Sequence, residues 1–444
     1  MSKILDKLSI AQIILIAYTA LIVTGGVLLS LPFSSTSGEW TSFMDAVFTA
    51  TSATTVTGQV TLNTAEHWNY LGKTIILILI EIGGLGFMTT WVIFYQFIGG
   101  RPNLKQRQVV SESLSLSGGD PLLAKVGSIL KIALSIQLIG SVLLSLTFIP
   151  EYGWGDGLYF SVFHSISAFN NAGFDVLGNS LVSYQNNPYL LLVIAGLIMA
   201  GGLGFIVWED VLNYRRTKKI RKYSKIVLTT TISLWILGTL LFALMETGQP
   251  SFDHLPLGER IVNYFFLSVT PRTAGFVNID YTQLSIGSIF LTIILMFIGA
   301  SSGSTGGGIK VTTLVIIFVV IYRSIRNEGV HILKRSVAAE TIRRAFFIFG
   351  SGIIIATVAS FILLNTQIIP EPYGIEYILI EVFSGIGTVG LTMGLTPHLT
   401  NLGKIVLIVL MLIGRVGLLT FLWSFSNKKY ESRIRYVDMN ILIG

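Results

Sequence analysis

The 444-residue sequence predicts an all-α polytopic membrane protein, built as four M1–pore-helix–M2 repeats around a pseudo-fourfold central pore. This architecture has eight membrane spans and four re-entrant half-helices. Three observations lead to it. Hydrophobic residues make up 52% of the chain and charged residues 12%, about half the charged share of a water-soluble domain. Long apolar runs alternate with basic stretches, and a small-residue motif ending in glycine recurs four times.

A chain with mean hydropathy +0.72 has too little polar surface to fold in water, whereas a bilayer accepts it. With no cysteine, disulfides, thiol catalysis and cysteine-type zinc sites are excluded. The first apolar stretch, Ile10 to Phe33, is long enough to span. No A-x-A-like cleavage site follows it, so it is expected to remain as a helix. The net charge of +7 does not mark a nucleic-acid binder, because of where the cations fall. Of the 30 Lys and Arg, 24 lie at Lys3 and Lys7, Arg101–Lys131, Arg215–Lys225, Arg323–Arg344 and Lys428–Arg435. Each place lies between apolar blocks or near an end of the sequence. The positive-inside rule then puts both termini and three connecting loops on the cytoplasmic side of the cell membrane. Lys73, Arg260 and Lys404 fall on the opposite side, and Arg272, Lys310 and Arg415 inside apolar segments.

Between successive basic places the chain must leave the cytoplasm and return. Each interval holds two long apolar runs: 10–33 and 72–98, 124–150 and 187–212, 225–247 and 287–322, 342–367 and 403–425. At 1.5 Å per residue each can cross a hydrocarbon core about 30 Å thick. A shorter run lies within each pair, at 43–54, 158–169, 260–270 and 375–386. A dozen helical residues reach only about 18 Å, so these enter and turn back. Irregular backbone at that depth is tolerated only where it lines water or is buried in protein. The repeats divide the chain at 1–106, 107–222, 223–340 and 341–444.

After each short run the motif aligns without gaps. Thr54-Thr55-Val56-Thr57-Gly58 matches Phe169-Asn170-Asn171-Ala172-Gly173, Pro271-Arg272-Thr273-Ala274-Gly275 and Ile386-Gly387-Thr388-Val389-Gly390. A second marker follows: Gly83-Gly84-Leu85-Gly86-Phe87, Gly201-Gly202-Leu203-Gly204-Phe205, Gly299-Ala300-Ser301-Ser302-Gly303 and Gly414-Arg415-Val416-Gly417-Leu418. The offsets from motif glycine to marker are 25, 28, 24 and 24.

This pattern suits a cation pore. A dehydrated cation needs oxygen ligands in place of water, and backbone carbonyls supply them without net charge. Glycine permits the backbone geometry and close approach such strands demand. If each short helix enters from outside, its C-terminus points at the centre with about half a negative charge. The plainer alternative, glycines serving only helix packing, explains neither the short helix nor the fourfold recurrence.

The third return run is unusual. Residues 299–310 hold five glycines and three serines, each glycine costing about 1 kcal/mol of helix stability against alanine. We read Gly303, Ser304, Thr305, Gly306, Gly307, Gly308 and Lys310 as a mobile plug under the filter. The segment is not a phosphate-binding loop, because Ile309 precedes Lys310 and Val311 follows it. Arg415, at the fourth marker, is either a positive barrier beneath the filter or a structural partner for a buried acid. Asp45 reads as an N-cap of the first short helix. Glu381 could pair with Arg272, Lys310 or Arg415. The Arg272 side chain is expected to leave the axis toward the outer vestibule. His67, His164, His254, His331 and His398 lack metal-ligand spacing, and His164 reads as a packed residue.

The motifs at 55–58, 170–174, 270–276 and 387–392 resemble those of the Trk/Ktr/HKT superfamily of potassium transporters, and most of all the bacterial Ktr membrane subunit, over nearly the whole chain. The resemblance implies potassium as the transported ion and glycine at all four filter positions as the potassium-selective pattern. In the plant branch, serine at the first position goes with sodium transport. It also implies a gating loop at 303–308 and an arginine barrier at Arg415. Further implications are a homodimer with one pore per protomer and a separate cytoplasmic ring of nucleotide-binding subunits that senses ATP and ADP. That ring would dock on basic loops such as 215–225 and 323–344, whose other roles are topology and anionic-lipid contact. Uptake would be sodium-stimulated, with no cofactor bound by this chain. Two other classes fit the sequence less well. An alternating-access carrier predicts inverted repeats, and an enzyme needs a nucleophile–base or paired-metal constellation that the sequence lacks.

Overall fold

The computed structural model describes residues 8–86 and 122–425. Phe87 and the rest of the first return run, the boundary at 106, Arg101, Lys3, Lys7 and Lys428–Arg435 lie outside the described residues.

Repeat 1 comprises a span α1 (Ile10–Ser30), a short helix α2 (Phe43–Thr54), one turn α3 (Thr64–His67) and a return helix α4 (Tyr70–Leu85). Repeat 2 opens with α5 (Leu122–Phe169), which changes direction at Gly153, where φ is +81°. The span and second short helix, expected as separate runs, are thus joined through one bend. The return divides into α6 (Pro188–Leu203) and α7 (Phe205–Thr217), bent by 98°. Repeat 3 has a span α8 (Lys222–Glu246), a short helix α9 (Leu257–Val269) and a return broken into α10 (Ile286–Phe297) and α11 (Val311–Ile325). A hairpin of β1 (His331–Ile332) and β2 (Arg335–Ser336) leads to repeat 4. That repeat holds α12 (Ala339–Thr366), α13 (Glu376–Gly387), and α14 (Asn401–Val416) with α15 (Leu418–Ser424), bent by 108°.

Among the described residues, four helices are long and apolar enough to cross a membrane, or up to six if each bent pair is one span. The bends fall at Gly204 (φ +87°) and Gly417 (φ +92°), and Gly86 ends α4 at φ +85°. These glycines occupy backbone space that side chains disfavour. Besides the break expected in the third return, the second and fourth returns are also bent.

Every return helix starts at a side-chain cap that satisfies free amides: Asn69, Asn187, Ser285 and Thr400. The marker glycine follows its cap by fourteen residues each time, 69 to 83, 187 to 201, 285 to 299 and 400 to 414. That is about 21 Å of helix. The uneven motif-to-marker offsets therefore arise before the caps, in the loops that join motif to cap. Packing closes the repeats into a ring: α4 lies on α5, α6 on α9, α10 on α13, and α14 back on α2. The largest buried apolar cluster joins repeats 3 and 4 to Phe48 of repeat 1, through residues such as Phe242, Met296, Ile380 and Leu407.

Candidate functional site

Each short helix ends at its motif, and the four motifs share one backbone signature. The third residue is left-handed in every copy: Val56 (φ +52°), Asn171 (+58°), Thr273 (+81°) and Thr388 (+50°). So is the fifth: Gly58 (+96°), Gly173 (+68°), Gly275 (+72°) and Gly390 (+99°). A left-handed non-glycine residue costs roughly 1–2 kcal/mol, and such strain concentrates at functional sites.

The four glycines form a closed ring. A Cβ on Gly58 would lie 2.5 Å from the Ala172 carbonyl oxygen, and one on Gly173 2.6 Å from that of Ala274. On Gly275 it would lie 2.0 Å from the Val389 oxygen, and on Gly390 2.2 Å from that of Thr57. The order runs through repeats 1, 2, 3 and 4 and back to 1. Any side chain at these positions would strike the next strand.

The amides turn away from this ring. Those of Thr55, Val56 and Thr57 donate to carbonyls of Thr51, Ala53 and Ser52, and that of Gly58 to Ser52 Oγ at 3.0 Å. Asn170, Asn171 and Ala172 bond back to Ile166, Ala168 and Ser167, and Arg272, Ala274 and Gly275 to Val269 and Thr270. Thr388 and Val389 bond to Gly385 and Ser384, and Gly390 to Ser384 Oγ at 2.9 Å. Among the described residues, no carbonyl of 55–58, 170–173, 272–275 or 387–390 accepts a hydrogen bond. Buried carbonyls are normally paired. Oxygens gathered without donors are what a bare cation requires, and four helix C-termini add negative potential.

Sequence reasoning missed the hydroxyls that hold the strands. Ser52 and Ser384 receive motif amides, Ser167 Oγ donates to the Phe174 carbonyl at 2.7 Å, and Thr270 Oγ1 to that of Phe276 at 2.6 Å. A signal was present: serine stands six residues before the glycine in three of four repeats. The marker glycines also gain a reason. A Cβ on Gly83, Gly201 or Gly414 would lie 2.0, 1.8 or 2.3 Å from the carbonyl oxygens of Thr54, Phe169 and Ile386, the first residues of three motifs. On the loop side of the ring a cavity of about 210 Å³ is lined by Gly58, Asn63, Gly173, Phe174, Asp175 and Gly178.

On the other side, the broken third return folds against the ring. Gly299 N–H donates to Ile309 O at 2.9 Å and Val311 N–H to Ala300 O at 3.2 Å, closing the loop's neck. A Cβ on Gly306 would lie 2.2 Å from Thr273 Oγ1, and one on Gly307 2.2 Å from Thr388 Oγ1. Gly303 O accepts from Phe205 N–H at 2.9 Å, Ser304 Oγ donates to Ser301 O at 2.6 Å, and Gly308 takes φ +68°. Thr305 Oγ1 donates to Phe169 O at 3.0 Å, and Lys310 Nζ to Gly306 O at 2.8 Å. Arg415 donates to the carbonyls of Thr305, Gly83 and Gly84.

Several expectations are corrected. Arg415 has only carbonyl partners, so its pairing with a buried acid is excluded among the described residues. Glu381 pairs with none of the three cations: it accepts from Gln59 Nε2 at 2.6 Å, from Thr396 Oγ1 at 2.8 Å and from Thr392. Arg272 does leave the axis, but into the protein and not the outer vestibule. It is 5% exposed, lies 5.7 Å from the Trp235 ring centre and reaches Gly299 O at 3.4 Å. Asp45 is no cap: Ser42 precedes the helix, and Asp45 in its first turn pairs with Lys404 at 2.6 Å. His164 is fully buried, with Nδ1 at 2.8 Å from Phe160 O, as a packed residue should be.

The family model TrkH, described as cation transport protein, matches residues 3–433. The chain is similar to the potassium/sodium uptake protein NtpJ of Enterococcus hirae, at 47% identity over 100% of this chain and 99% of the relative. It is similar to Ktr system potassium uptake protein B of Bacillus subtilis, at 41% identity over 98% and 96%. Its fold resembles the crystal structure of the potassium transporter TrkH from Vibrio parahaemolyticus, with a TM-score of 0.73 at 18% identity over 94% of this chain and 84% of that one. This multi-pass membrane protein belongs to the TrkH family of cation transport proteins.

Proposed function

We propose that the chain carries potassium ions into the cell across the cytoplasmic membrane, through the ring at Gly58, Gly173, Gly275 and Gly390. The observation that supports this reading most is the closed cyclic order of the four glycines, each against the backbone of the next motif. Residues 55–58, 170–173, 272–275 and 387–390 are the ligand strands, acting through carbonyls. A neutral oxygen set replaces a hydration shell while letting the ion leave. Relatives named for potassium and for potassium/sodium uptake support potassium as the cargo and make sodium the competitor to test.

The loop 303–308, with Lys310 and Arg415, is the gate in this reading. It fills the space beneath the ring, and its two cations oppose an ion leaving the filter. The wider assembly is a homodimer with a cytoplasmic ring of nucleotide-binding subunits, both termini of this chain being cytoplasmic. The resemblance supports this, as do exposed cations such as Arg215, Lys219, Arg326 and Lys334.

Rubidium flux into liposomes holding the purified protein tests the reading. Potassium should compete at far lower concentration than sodium; equal competition would refute selection at the ring. Unitary currents in planar bilayers distinguish a pore from an alternating-access carrier.

A further inference from the structure

We propose that Glu81 positions the second filter strand for ion selection and ties that strand to the gate. The proposal rests on the filter reading above. Glu81 lies on α4, two residues before the marker glycine Gly83, inside the membrane, where an acid is costly and marks a functional candidate. It makes no ion pair among the described residues. Its Oε2 accepts from Asn170 Nδ2 at 2.6 Å and from Gln137 Nε2 at 2.8 Å, while its Oε1 is buried and accepts no bond among the described residues. Asn170 is the second residue of the second motif, and repeat 1 supplies the acid that orients it. The fit is close: a Cβ on Gly84 would lie 2.0 Å from Asn170 Oδ1.

The same stretch of α4 also meets the gate. The carbonyls of Gly83 and Gly84 receive Arg415, which also donates to Thr305 of the loop. Thr305 Oγ1 in turn donates at 3.0 Å to the carbonyl of Phe169, the residue just before Asn170. The bonds close a circuit: Glu81 to Asn170, along the chain to Phe169, then Thr305, Arg415 and Gly84, and back along α4. Withdrawing the loop breaks the links through Thr305. Glu81 is then the tether that keeps the inner end of the second strand in register.

The test uses full-length protein in planar bilayers, with reversal potentials under potassium and sodium gradients. Glu81→Ala should lower the potassium-to-sodium permeability ratio on the order of fivefold, the equivalent of one lost hydrogen bond. Glu81→Gln keeps an oxygen that can accept both bonds and should recover most of the loss. If Glu81→Ala does not fold, Glu81→Asp, one methylene shorter, carries the same expectation. In an Arg415→Ala background, where the parallel link is gone, the effect of Glu81→Ala should grow; a constant effect would overturn the tie to the gate. A selective wild type with an unchanged ratio in the alanine or aspartate variant overturns the proposal and leaves the filter reading standing. An equal loss in Glu81→Gln assigns the effect to charge and overturns the tether. A non-selective wild type removes both readings.

Discussion

Gly275→Ala is the sharpest probe of the ring. Gly275 has φ +72°, where an L-residue costs about 1–2 kcal/mol. Its new Cβ would lie 2.0 Å from the Val389 carbonyl oxygen, about 1.5 Å inside ordinary contact. Val389 cannot yield freely, because its N–H is bonded to Ser384 O at 2.9 Å. Breaking that bond adds about 1 kcal/mol. The total, roughly 2–3 kcal/mol, corresponds to about a thirty- to 150-fold loss of properly closed rings. Reversal potentials with potassium and sodium on opposite sides read this loss as a lower permeability ratio, with melting temperature as the check on folding. Alanine at the other positions should rank by clash: Gly390 next at 2.2 Å, then Gly58 at 2.5 Å and Gly173 at 2.6 Å. A folded Gly275→Ala protein with the wild-type ratio would refute the reasoning. So would a Gly173→Ala variant more damaged than Gly275→Ala.

Three further outcomes are expected. Arg415→Ala removes the donor that joins Thr305 to Gly83 and Gly84, so unitary current or flux should rise; an unchanged current would count against the gate. Ser384→Ala leaves the Gly390 amide without its acceptor, an unpaired buried group costing roughly 1–3 kcal/mol; selectivity should weaken while the fold persists, and full selectivity would show the hydroxyl to be dispensable. His67, at the end of α3 and 2.9 Å from Thr41 Oγ1, is held by burial below its ordinary pKa of 6.5, against the pull of Asp45. The unfolded chain therefore binds the proton more readily. Stability is complete above pH 6.5 and is lost as pH falls through 6.5 toward the lowered folded value. His67→Gln should flatten this part of the melting-temperature profile, and an unaltered slope would assign the effect to another group.

The long apolar helices, the short helices between them and the left-handed glycines that follow were legible in the sequence because each has a local physical cause. Span length follows from bilayer thickness, and Gly58, Gly173, Gly275 and Gly390 from a backbone that only glycine adopts cheaply. Glu381, Arg272, Asp45 and Arg415 were not legible in the same way. A charged side chain chooses among partners that lie far apart in sequence, and the choice depends on which helices touch. Only the tertiary structure placed Glu381 beside Gln59, Asp45 beside Lys404, and Glu81 beside Asn170. The bends at Gly204 and Gly417 belong between the two cases. The sequence marked those glycines as special, but a glycine tolerates both helix and break, and the packing of each return helix against a strand's first carbonyl decided between them.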